Sequence, residues 1–124
     1  MYNFPKDAPV TFDEAQERID QWISQFEEGY FPSFIQLARL SEELGELARA
    51  VSYAEGAKKL KATDKFEEVA NVEEEVGDLL LVLICFANAH HISLGSLMQK
   101  TLEKIDARDK TRWTPKTHVD KPRA

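Results

Sequence analysis

From Leu79 to Ala87 the chain runs through nine residues, Leu-Leu-Leu-Val-Leu-Ile-Cys-Phe-Ala, with no polar side chain among them. A membrane span needs roughly twice that length, so this run must find its cover within protein. Together with Val69, Val72 and Val76 it reads as one helix whose second half is apolar on every side. A helix in a small monomeric bundle keeps one face wet. The missing cover is most simply another copy of the chain, with a long loop or the tail as the alternative.

The rest of the chain is patterned for helices around that one. Its 124 residues make one domain, and 43% apolar residues is too many for a disordered chain. Thr11 and Glu14 have capping-box spacing, and Phe12, Ala15, Ile19, Trp22, Ile23 and Phe26 follow at helical intervals until Gly29–Pro32. A second helix starts near Ser33, carries Phe34, Leu37, Leu40, Leu44, Leu47, Ala48 and Val51 as its stripe, and stops at Gly56. Residues 57–64 read as a basic loop. Asp64 and Glu67 suggest a capping box for the third helix, which ends by His91. A fourth begins at Ser93 and shows Leu94, Leu97, Met98, Leu102 and Ile105. The expected fold is all-α and four-helix bundle-like, oligomeric, with a catalytic domain over residues 1–113 and a flexible tail over 114–124 marked by Pro115 and Pro122.

Charge and cysteine content narrow the function classes. A net charge of −6 argues against a protein that coats nucleic acid, and no segment suits a membrane. The single cysteine, Cys85, leaves no disulfide framework; it reads as a buried, inert thiol. With no apolar leader after Met1, a cytoplasmic location is expected. Residues 104–124 hold seven basic and three acidic groups, a local +4 that leaves −10 on residues 1–103. That asymmetry is either a solvated helix end and tail, or a basic cluster that meets an anionic ligand held elsewhere through metal.

The acidic side of that ledger is organised. Glu43 with Glu46, and Glu75 with Asp78, are pairs three residues apart, which on a helix face the same way. At about 100° per residue both pairs sit roughly 80° and 140° from their helix's apolar stripe, to the same rotational side. Each pair also flanks a glycine, Gly45 or Gly77, whose helical cost a close approach by a neighbour or ligand would explain. Four carboxylates on two packed helices repel one another, so they must either take up protons or hold hard cations. An oxygen-only set suits Mg²⁺, with Mn²⁺ as a substitute. His90 and His91 suit the end of a helix dipole better than ligation.

These residues carry a resemblance. Glu-Glu-Leu-Gly-Glu (42–46), then 28 residues, then Glu-Val-Gly-Asp-Leu-Leu (75–80), resembles the MazG-like nucleoside triphosphate pyrophosphohydrolases, over about residues 10–113. The resemblance implies a MazG-type all-α oligomer, dimeric or tetrameric, that converts a nucleoside triphosphate to monophosphate and pyrophosphate with Mg²⁺. It implies Glu43, Glu46, Glu75 and Asp78 as metal ligands and Glu42 in water activation or just outside the ligand set. Lys104 and Arg108 fall where basic residues meet the phosphates. Trp22, Tyr30 or Phe34 would stack on the base or else belong to the core. The competing readings are a non-catalytic helical interaction module and a hydrolase of the same architecture acting on a phosphoribosyl-nucleotide.

Overall fold

A computed structural model describes residues 1–6 and 8–117. The described residues form five helices and no strand: α1 (Phe12–Ile23), α2 (Ser33–Ala54), α3 (Phe66–Val69), α4 (Val72–Ala89) and α5 (Leu94–Asp109). The four long helices are those expected from periodicity. Of the expected tail, residues 118–124 lie outside the described residues.

Local chemistry sets the ends. The Glu14 amide donates to Thr11 Oγ1 at 3.2 Å, so the expected cap forms, and the Ser96 amide donates to Ser93 Oγ at 3.3 Å, which caps the last helix where it was expected to begin. The Asp64–Glu67 box does not. Asp64 instead accepts from the Lys61 amide at 2.9 Å, closing a turn in the basic loop. The working box lies one step later, where Asn71 Oδ1 accepts from the Glu74 amide at 3.1 Å and Asn71 Nδ2 donates to Glu74 at 3.2 Å. The expected third helix is thereby split into the single turn α3 and the long α4. The first helix likewise ends at Ile23, before Gly29, with turns filling the interval.

At the end of α4, His91 takes φ +55° while its amide donates to Asn88 O and the Ile92 amide to Ala87 O. This is the left-handed closure usually given to glycine, as at Gly56 (φ +74°) after α2. It turns α5 through 104° from the preceding helical segment.

α2 and α4 make the principal packing, α1 covers part of α4, and α5 rests on α1. The Ser33 hydroxyl meets His90 Nε2 at 2.8 Å near one end of the α2–α4 pair, whereas Glu43 meets Glu75 and Asp78 further along, so the two helices run antiparallel. Ile84, Ala87 and Leu94 form a small core with Ala15 and Ile19. The expected stripe of α2 is not that core. Phe34 is 83% exposed and Leu37 and Leu44 are exposed, whereas Gln36, Ala50 and Tyr53 are buried. Val76, Leu80, Leu81 and Leu83 on α4 are exposed as well. Within one chain, the apolar surface of both central helices exceeds what α1 and α5 can cover. Among the described residues no single helix is long and apolar enough to cross a membrane.

Candidate active site

Seven residues along α2 from Gln36 stands Glu43, and the antiparallel α4 brings Glu75 and Asp78 to it. One carboxylate oxygen from each of these three lies within 4.8 Å of the others. Glu43 and Glu75 are half-buried and Asp78 is exposed. Burial, followed by the charges of Asp78, Glu46, Glu43 and Glu74, pushes the Glu75 carboxyl above its ordinary range. Glu46 is therefore felt at the site, but it stays exposed and outside the three-carboxylate cluster. Glu42, next along α2 from Ser41, is exposed and also outside it.

This arrangement has acceptors in excess and, among the described residues, no hydrogen-bond donor or ion-pair partner to match them. Like charges held this close raise the free energy of the cluster, and a small hard cation with oxygen preference lowers it. The donor set therefore fits Mg²⁺ or Mn²⁺ on charge and ligand type. The adjacent glycines do not mark a close approach within the chain: a Cβ added at Gly45 or Gly77 would meet nothing within 4 Å.

The other expected site residues stand on other helices, Trp22 on α1 and Lys104 and Arg108 on α5. Lys104 and Arg108 are exposed on α5, and Arg108 Nη2 is engaged with Asp109 at 3.0 Å. Trp22, 41% exposed, stacks on Phe4 with ring centroids 6.0 Å apart and meets Phe26 edge-on at 4.9 Å. It faces a cavity of about 540 Å³ that also takes in Gln36, Arg39, Leu81 and Cys85. Tyr30 is committed to structure, donating to Asp20 at 2.7 Å and accepting from Asn88 at 3.0 Å. Cys85 is half-buried, and burial pushes its thiol up. Arg39 and Gln36 were not anticipated. Their only sequence signal is position, one and two helical turns before Glu43 on the same face.

An all-α chain with carboxylates converging from two antiparallel helices is the setting in which the known relatives can be compared. Residues 35–113 match the MazG nucleotide pyrophosphohydrolase domain, and the chain belongs to that family. YpjD of Bacillus subtilis, an uncharacterized protein, is 47% identical over 106 residues, which is 86% of this chain and 93% of YpjD. YvdC of the same organism, also uncharacterized, is 32% identical over 96 residues, covering 72% of this chain and 91% of YvdC. The fold is similar to the crystal structure of B. subtilis YpjD, described as a candidate pyrophosphatase, with a TM-score of 0.69 and 42% identity over 81% of this chain and 99% of that one. It is also similar to the crystal structure of a Bacillus-conserved MazG protein, a nucleotide pyrophosphohydrolase, with a TM-score of 0.65 and 39% identity over 82% and 96% of the two chains.

Proposed function

We propose that the protein hydrolyses nucleoside triphosphates to the monophosphate and pyrophosphate, with Mg²⁺ (or Mn²⁺ in its place) held by Glu43, Glu75 and Asp78 and supported by Glu46. The observation that carries this reading is the convergence of three carboxylates from two helices within 4.8 Å. When bound, the metal supplies charge neutralisation for the triphosphate and Lewis-acid polarisation at the phosphoryl group. The protein's part is to fix the carboxylates on rigid helices, so that little reorganisation accompanies the reaction. Glu42, next to Glu43 in the chain and open to solvent, is the proposed acceptor of the proton that the attacking water gives up. Lys104, exposed on α5, is proposed to bind the outer phosphates, with Arg108 free to do so only on leaving Asp109.

A second copy of the chain belongs to this proposal. The α2 stripe residues Phe34, Leu37 and Leu44 and the α4 residues Val76, Leu80 and Leu83 stand exposed on the two helices that carry the carboxylates, and a second copy would cover them. Sedimentation at micromolar concentration is expected to give a homodimer or homotetramer; a lone 14.2 kDa species would remove this element.

Product chromatography tests the reaction. A nucleoside triphosphate incubated with protein and Mg²⁺ should yield monophosphate and pyrophosphate. Diphosphate and orthophosphate as products, or undiminished turnover in EDTA, would refute it. A phosphoribosyl-nucleotide in the same panel examines the neighbouring substrate class, and absence of Mg²⁺ binding at millimolar concentration would favour a non-catalytic interaction module.

A further inference from the structure

The cavity of about 540 Å³ lies between α1, the turn region after it, α2 and α4. Its walls are mainly the apolar faces of Ile19, Trp22, Leu81 and Val82. Glu28, Tyr30, Gln36 and Arg39 are the polar side chains of the lining, and of these Gln36 is the buried one. Gln36 is only 4% exposed, and its Oε1 has no hydrogen-bond partner among the described residues. A buried carbonyl oxygen left without a donor costs about 1–3 kcal/mol, and an apolar side chain at this position would avoid that cost. The orphan oxygen therefore points to an occupant that brings an N–H or O–H group into a largely apolar space.

The register of the helices says what else that occupant reaches. Gln36 and Glu43 are seven residues apart on one face of α2, about 10 Å of helical rise, with Arg39 between them. Cys85 and Asp78 have the same separation on the antiparallel α4. Cavity and carboxylates thus lie along one seam, separated by roughly two helical turns, which suits a nucleoside with its first phosphate.

We propose that this cavity receives the base of the nucleotide and that Gln36 is a specificity-determining residue, its amide pairing with the hydrogen-bonding edge of the base. The inference rests on the function proposed above. A flat heterocycle with apolar faces suits the walls and Trp22, and a base edge that sets a donor beside an acceptor suits a carboxamide. An acyl chain or aliphatic side chain would fill the same volume and leave Gln36 unpaired.

The test reads binding without catalysis. In a Trp113→Phe background Trp22 is the sole indole, so its emission reports the cavity. In EDTA, adenosine, guanosine, cytidine and uridine are titrated one by one, with ribose 5-phosphate as control. At least one nucleoside should quench Trp22 saturably while ribose 5-phosphate does not. Gln36→Leu should weaken the best ligand about tenfold and flatten the ranking of the four, and its melting temperature should be no lower than that of the parent. Gln36→Met gives the same reading if the leucine variant does not fold. No quenching by any nucleoside, or an unchanged ranking in the variant, would overturn the proposal. Pyrophosphate release separates the two readings: quenching without triphosphate hydrolysis sinks the proposed reaction alone, and hydrolysis with a silent Trp22 sinks the base site alone.

Discussion

At its C-terminal end α4 presents Asn88 to α1, and at its N-terminal end it presents Glu75 and Asp78 to α2. The two polar clusters are built in opposite ways. Asn88 Oδ1 accepts from Gln16 Nε2 at 2.9 Å, while its Nδ2 donates to the Gln16 carbonyl at 2.9 Å and to the Tyr30 hydroxyl at 3.0 Å. Gln16 completes the set, donating to Ile92 O at 2.7 Å and accepting from the Leu94 amide at 2.9 Å. Here donors and acceptors are matched, and the network joins α1, α4 and the start of α5. At the carboxylate end acceptors gather with no donor among the described residues, and burial and mutual charge hold Glu75 above its ordinary range. A cluster that closes on itself fastens helices together. One that stays open lowers its energy only by taking in something from outside.

The sharpest way to break that contrast is to neutralise the open cluster. Asp78→Asn and Glu75→Gln should each lower turnover by about 10²–10³, since charge stabilisation at the transferring phosphoryl group is commonly the largest catalytic contribution. Both should leave the metal-free melting temperature unchanged or higher, because each removes a like charge. Mg²⁺ should raise the melting temperature of the parent by mass action, and Glu75→Gln should lose most of that increment. Calorimetric melts with and without Mg²⁺, run beside a pyrophosphate assay, check this. A Glu75→Gln protein that melts well below the parent without metal would mean that its carboxylate has a structural role after all.

The closed cluster should respond in the reverse sense. Asn88→Ala takes one partner each from the Gln16 carbonyl, the Gln16 side-chain amide and the Tyr30 hydroxyl, so a loss of about 2–3 kcal/mol in urea unfolding is expected. The Mg²⁺-induced increment in melting temperature should persist in this variant. Loss of metal response together with stability would show that the two ends of α4 are coupled rather than separate.

The carboxylate end was legible in the sequence, and the cavity end was not. Glu43, Glu75 and Asp78 stand at spacings that a helix must project to one side, so their convergence follows once α2 and α4 pack. Thr11 and Ser93 were legible for a similar reason, because capping is a local reaction of a side chain with an amide three residues on. The break before α4 was obscured by two acidic boxes in succession, Asp64–Glu67 and Asn71–Glu74, and only the folded chain shows that the second one caps. The inner face of α2 was misread because amphipathicity identifies which side is apolar, not what covers it. Phe34, Leu37 and Leu44 face away from the chain's own core, while Gln36 turns inward. A glutamine on an amphipathic helix reads as wet surface, and nothing local announces that it lines a cavity.

The finest contrast concerns one hydroxyl in the closed cluster. Burial first, and then its hydrogen bond to Asp20, push the Tyr30 phenol well above the ordinary value near 10. A folded-state pKa raised above the unfolded one means that the folded chain keeps a proton the unfolded chain gives up. The stabilisation is therefore complete below about pH 10 and falls as pH rises beyond it. Tyr30→Phe removes two hydrogen bonds, to Asp20 and from Asn88, and should cost about 1 kcal/mol at neutral pH. It also removes the titration. The difference in urea midpoint between parent and variant should stay constant from pH 7 to about pH 9 and narrow above that, as the unfolded parent ionises and the variant does not. Other groups titrate in this range, but they do so in both proteins and cancel in the difference. A difference that widens with alkali would mean that the Tyr30 hydroxyl is better placed as an anion than as a donor to Asp20, and the network would then have to be redrawn with another proton in it.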